Sequence, residues 1–211
     1  MLPISTLKDF TITMIRRSLP LAALLFLCLP AAAFAHTGIG ATHGFMPGFS
    51  HPMSGLDHIL AMVGVGLFAA RLGGRALWLV PSAFLAMMAL GGAAGTYGVT
   101  LPWVETGIAL SVVAIGLALA FGLSLPALGA AALVGFFAIF HGHAHGLEMP
   151  ADASGLDYAL GFMIATALLH AAGIALGLRL DRLARSIRLP LVQASGGALA
   201  LAGVGLLMGA L

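Results

Sequence analysis

"YALGFMIATALLHAAGIALGL" occupies residues 158–178 and contains no Asp, Glu, Lys or Arg. A helix rises about 1.5 Å per residue and needs roughly 20 apolar residues to cross the hydrocarbon layer of a bilayer. The stretch meets that requirement, so it reads as a membrane span. One imidazole, His170, sits near its middle, and polar side chains at membrane depth are costly and usually mark a pathway or a site. Taken alone, His170 also reads as a packed or hydrogen-bonding residue.

The rest of the chain extends the same pattern. Of 211 residues, 61% are hydrophobic and 8% charged, and the mean hydropathy is +1.09, far from the balance of a soluble domain. Six apolar stretches follow one another at about 54–70, 76–95, 104–121, 127–147, 157–178 and 190–210. The expected fold is an all-α membrane protein, a six-transmembrane-helix bundle with short connections.

A further apolar run precedes them and has a different character. Lys8, Arg16 and Arg17 come before "LPLAALLFLCLP" (19–30), then "AAAFA" (31–35) and His36. Small residues at Ala33 and Ala35 suit a signal peptidase, so residues 1–35 read as a cleaved signal peptide and 36–211 as the mature six-span domain. An uncleaved first helix is the alternative. Cys28, the one cysteine, follows the bulky Leu27, which does not suit lipoprotein cleavage. The mature chain then has no thiol ligand or disulfide.

Arginines collect in alternate connections: Arg71 and Arg75 in the first, Arg179, Arg182, Arg185 and Arg188 in the fifth. Connections two and four carry Glu105, Glu148, Asp152 and Asp157 instead. By the positive-inside bias, both mature termini are expected in the periplasm of a bacterial inner-membrane protein. The pI near 9.2 reflects that topology, and no basic stripe with interleaved aromatics appears, which argues against nucleic acid. Lys8 is the only lysine, so a phosphate-binding P-loop and nucleotide binding through it are excluded. Glycines recur in "GGAAG" (91–95) and "SGGALALAGVG" (195–205), small faces that let helices pack closely.

The remaining polar groups concentrate in two places. "FHGHAHGLE" (140–148) carries His141, His143, His145 and Glu148, and "HTGIGATHGFMPGFSHPMSGLDHILAM" (36–62) carries His36, His43, His51, Asp57 and His58. The orientation above puts both at the external mouth, with His170 deeper on an inward route. On a regular helix His141 and His145 share a side and His143 faces away. His51 and His58, seven apart, would share a side if the first span began near Pro52. Asp57 is either a ligand or the partner that fixes an imidazole's tautomer. Nitrogen and oxygen donors without sulfur suit nickel, cobalt, zinc or copper better than calcium or magnesium. Cleavage after Ala35 would add the amino terminus beside His36 as a further nitrogen donor.

At these residues the sequence resembles the HupE/UreJ family of hydrogenase and urease accessory membrane proteins, regarded as nickel or cobalt permeases. The resemblance runs through "HTGIG" (36–40), "GFSHPMSGLDH" (48–58) with His43 upstream, "LPWVETGIALSV" (101–112), "FHGHAHGLE" and "YALGFMIATALLHAAG" (158–173). It implies that the family's metal-site residues fall on His36, His43, His51, Asp57, His58, His141, His143, His145 and Glu148. It also implies inward passage of Ni²⁺ or Co²⁺ as a transported ion, with no prosthetic group, for maturation of hydrogenase or urease.

The expected mechanism is capture by the external histidines with Glu148 and Glu105, ligand exchange to Asp57 and His58, and then transfer to His170. An inside-negative potential would contribute about 2.3 kcal/mol per charge for each 100 mV. The expected function is therefore non-enzymatic. The rival readings are a membrane-embedded zinc hydrolase with Glu148 or Asp57 as base, and a metal-binding accessory protein that does not transport. The sequence leaves open nickel against cobalt, proton coupling, and assembly into a homo-oligomer.

Overall fold

The structure, a computed structural model, describes residues 44–149, 155–187 and 190–211. Residues 1–35, His36 and His43 lie outside the described residues. Among the described residues the elements are all helical: α1 (Phe45–Ser50), a 3-10 turn (His51–Met53), α2 (Leu56–Leu72), α3 (Ala76–Thr96), α4 (Val104–Ala120), α5 (Ala127–Glu148), α6 (Gly155–Ile187) and α7 (Leu191–Leu207).

The six apolar stretches thus correspond to six long helices, α2 to α7. Three segments, Ala76–Thr96, Ala127–Glu148 and Gly155–Ala184, have the length and apolarity to cross a membrane. The pair Phe45–Met53 and Leu56–Leu72 makes a fourth when counted as one broken span, and α4 and α7 are shorter apolar helices of 17 residues. The fifth stretch continues beyond residue 178 to Ile187. At 33 residues α6 is about 50 Å long, against the roughly 30 Å of a bilayer core. Its last turns carry Arg179, Asp181 and Arg182, because charge that ends the apolar span does not end the helix.

Two local features set the backbone. Gly73 and Gly74 have φ of 69° and 51°, a left-handed pair that turns the chain from α2 into α3 without the steric penalty of a Cβ. Before α2 the helix breaks: Gly55 is extended at φ −97°, ψ 127°, and the segments on either side of the break meet at 82°. His51 and His58 therefore do not lie on one face of a continuous helix, and the expectation built on their seven-residue spacing is corrected.

Glycine sets the packing. Added Cβ atoms at Gly91 and Gly95 would run into the carbonyls of Ile139 and His143, and those at Gly142 and Gly146 into the carbonyls of Met88 and Gly92. Helices α3 and α5 thus interlock through a Gly-x-x-x-Gly face on each. Gly66 and Gly173 do the same for α2 and α6, and Gly116, Gly196 and Gly203 for α4 and α7. In lipid, where apolar association brings little gain, such close approach supplies the packing energy. Between the helices lie Met62, Val65, Phe68, Phe84, Met88, Ile115, Leu119 and Val134, all buried. Leu90, Leu128, Phe136 and Leu201 point outward and are exposed, as expected of a surface solvated by acyl chains.

The two ends of the bundle differ in chemistry. At one, Gly48 packs on the backbone of Tyr158 and Gly146 on Gly92 and Thr96. That end gathers the start of α2, the ends of α3 and α5 and the start of α6. At the other, the Arg71 guanidinium and Gln193 lie beside Gly122.

Candidate metal site

The glycine face of α5 orients its histidines. Successive residues on a helix are about 100° apart. With Gly142 and Gly146 turned onto α3, His141 and His145 are rotated to the side of α2, and His143 to the opposite side. His143 Nε2 meets the Val99 carbonyl at 2.6 Å, in the connection after α3. The expected shared side of His141 and His145 holds, and α5 stays helical through Glu148. His143 is buried and engaged by backbone, outside the convergence of the other imidazoles.

That convergence has two layers. In the outer layer His51 Nε2 lies 3.1 Å from Glu148 Oε2, and His145 Nδ1 lies 3.7 Å from the same oxygen. One donor atom from each of the three residues falls within 4.8 Å of the others. Metal–nitrogen bonds of about 2.1 Å put neighbouring donors of a tetrahedral set roughly 3.4 Å apart. Closing these residues around one ion therefore takes a movement of about an ångström. Glu148 is exposed and His51 half-buried, so the layer opens to the outside of the bundle.

The inner layer is built on α2. His58 Nδ1 is 3.0 Å from Asp57 Oδ1, which makes Nδ1–H the donor and leaves Nε2 as a bare lone pair. Gly55 makes room for this pair, since a Cβ there would stand 2.6 Å from Asp57 Oδ1 and 3.1 Å from His58 Nδ1. His58 Nε2 faces Nε2 of His145 in direct contact. Two imidazole nitrogens satisfy each other only when one carries a proton, so His145 donates from Nε2 and its Nδ1 is left bare. That Nδ1 is buried without a hydrogen-bond partner and is the atom turned toward Glu148. The charge of Asp57 is thus relayed through His58 to the ring that completes the outer layer.

Aromatic rings hold the imidazoles in place. Phe162 stands 4.1 Å from His145 and 6.3 Å from His51, centroid to centroid, and Tyr158 is 6.2 Å from His51. His58 meets His141 edge-on at 5.2 Å. His141 is fully buried, its Nε2 2.9 Å from Ser111 Oγ, whose own hydroxyl donates to the Ile108 carbonyl at 2.6 Å. The Ser111 oxygen therefore accepts from His141 Nε2–H, and His141 Nδ1 has no partner. His170 on α6 lies deeper, 1% exposed, with both ring nitrogens unpartnered. Unpaired buried nitrogens are costly, and such a set suits a cation that takes their lone pairs.

Of the residues singled out from sequence, the structure brings together His51, Asp57, His58, His141, His145 and Glu148. Glu105 is exposed and within electrostatic reach of Asp57, His58 and Glu148. His170 is on a different helix, and the Phe84 ring packs against both it and His141. Sequence reading missed Ser111, Phe84 and Phe162. A hydroxyl or a phenyl ring in an apolar span ordinarily signals packing, and no spacing distinguishes these three.

Comparison with known proteins gives the same direction. The family described as HupE / UreJ protein matches residues 24–206. The chain is 49% identical over 184 residues to Protein HupE of Rhizobium leguminosarum bv. viciae, covering 87% of this chain and 94% of that protein. No solved structure matches. With its apolar helices, its two histidine-rich elements and a family match over most of its length, the chain belongs to the HupE/UreJ family of membrane proteins.

Proposed function

We propose that this protein is a permease that brings Ni²⁺ or Co²⁺ inward across the bacterial inner membrane for maturation of a hydrogenase or urease, without catalysing a reaction. The observation that carries this reading is the convergence of His51, His145 and Glu148 within 4.8 Å directly above the Asp57–His58 pair.

The ion is captured at the outer layer, where His145 Nδ1, His51 Nε2 and the Glu148 carboxylate supply two nitrogens and an oxygen. His145 then presents its other nitrogen to His58, and a ring with a donor atom toward each layer suits hand-over by ligand exchange. His141 and then His170 continue the route. Donors strung along a path, rather than closed into a four-ligand cage, favour passage over storage, because the ion must leave as well as enter. A hydrolytic zinc site would hold three ligands around one open position and needs no further donors leading inward from it. No nucleotide is needed: an inside-negative potential of 100 mV contributes about 4.6 kcal/mol to inward movement of a dication.

The remaining parts follow the same reading. All six long helices cross the bilayer, the 17-residue α4 and α7 lying at the short end of the workable range. Residues 1–35 are removed as a signal peptide, both mature termini face the periplasm, and His36 and His43 add donors at the mouth. The arginines at the opposite end agree with the positive-inside bias.

The test is uptake of radiolabelled Ni²⁺ and Co²⁺ into proteoliposomes under an inside-negative potential, for the wild type and His58→Ala. Uptake that the substitution abolishes supports a permease. Binding without uptake makes the protein a metal-binding accessory, and lipid hydrolysis makes it an enzyme.

A further inference from the structure

His141 and His170 share one apolar neighbour. The ring of Phe84, fully buried on α3, packs against both, with centroid distances of 5.6 Å to His141 and 5.1 Å to His170, the latter edge-on at 87°. His141 offers a bare Nδ1, and His170 offers two unpartnered nitrogens at 1% exposure. A hydrocarbon ring in contact with two sets of unpaired buried nitrogens neither hydrogen-bonds to them nor coordinates an ion.

A cavity lies one helical turn from that ring. Met88, one turn along the same face of α3, is buried and lies 4.0 Å through its sulfur from the Thr166 hydroxyl. It also lines a cavity of about 460 Å³ bounded by His145, Tyr158, Phe162 and Met163. Methionine is the most adaptable apolar side chain, and displacement of Met88 into this cavity frees the volume next to Phe84.

We propose that Phe84 is the barrier residue of the pathway: its ring seals the passage between His141 and His170, and a divalent transition-metal cation crosses only when the ring turns aside. The proposal rests on the permease reading above and adds to it the element that keeps protons and water from following the ion. Apolar constrictions block conduction by excluding water, and a file of imidazoles without one would relay protons down the membrane potential.

Full-length protein in proteoliposomes tests it, with pyranine inside to report proton entry, Ni²⁺ as the ion, and thermal melting in detergent as the check on folding. The wild type takes up Ni²⁺ and admits few protons. Phe84→Ala admits protons at a rate raised by roughly tenfold or more, and Phe84→Leu, which keeps an apolar plug, stays within about twofold of the wild type. A Phe84→Ala protein that melts cooperatively, with unchanged proton entry and unchanged Ni²⁺ uptake, overturns the barrier and leaves the permease standing. No Ni²⁺ uptake by the wild type overturns both. If Phe84→Ala does not fold, Phe84→Trp carries the test. A larger plug slows Ni²⁺ uptake by roughly tenfold with Ni²⁺ binding at the mouth retained, and unchanged uptake in this variant also overturns the proposal.

Discussion

His51 Nε2 and Glu148 Oε2 lie 3.1 Å apart although 97 positions separate them in the chain. The contact joins the 3-10 turn before α2 to the last residue of α5, and it creates the outer half of the metal site. Glu148→Gln keeps the shape of the side chain and removes its charge. Partners of metal ligands alone are worth 10–100-fold in affinity, so loss of a ligand charge raises the Ni²⁺ dissociation constant by roughly tenfold or more. Isothermal titration in detergent reads this, and melting stays near wild type because the pair is exposed and such pairs contribute about 0–1 kcal/mol.

Asp57 acts at one remove from the outer layer. Its Oδ1 accepts the His58 Nδ1 proton at 3.0 Å and so fixes which nitrogen faces His145. Asp57→Asn weakens Ni²⁺ binding by about 10- to 100-fold while the bundle remains folded. Wild-type affinity in this variant would show that the His58 tautomer is set by something else.

Two histidines of one motif are expected to behave differently. His145 turns into the site, whereas His143 turns away from it and engages the Val99 carbonyl through Nε2. His145→Ala abolishes measurable binding. His143→Ala leaves the Ni²⁺ affinity within about threefold of wild type and lowers stability by about 1 kcal/mol for the lost hydrogen bond. Equal loss of affinity in both variants would contradict the rotation of α5 described here.

Acidification releases the ion. Coordination needs an unprotonated imidazole nitrogen, so protons compete with the ion, and affinity falls on acidification and is regained as pH rises. Titration of Ni²⁺ at pH 7.5, 6.5 and 5.5 (about one unit apart around the ordinary imidazole value) gives the slope, and a pH-independent affinity would exclude histidine ligation.

Much of this was legible in the residues themselves. Apolar runs of membrane length announce their helices because hydrocarbon leaves the backbone no other way to satisfy its hydrogen bonds, and α2 to α5 begin and end within a few residues of those runs. The last nine residues of α6 were not, since hydropathy marks where the apolar span ends, not where the helix does. The clustering of His51, Asp57, His58, His145 and Glu148 followed from charge topology, which set both histidine-rich segments at one end. Which imidazoles meet did not follow. The 82° break at Gly55 defeats any face argument from His51 to His58, and His143 turns away because Gly142 and Gly146 face α3. Phe84 and Ser111 carry no sequence signal at all, being ordinary residues of packed spans until their neighbours are known.

The most direct measurement is radiolabelled Ni²⁺ accumulation in proteoliposomes under an inside-negative potential, for the wild type beside His145→Ala. The wild type is expected to accumulate Ni²⁺ well above protein-free vesicles, with uptake rising as the potential grows, and His145→Ala to fall to the protein-free level. Wild-type uptake no greater than that of protein-free vesicles, or equal uptake by His145→Ala, would contradict the claim that the imidazole cluster is the entrance for the ion.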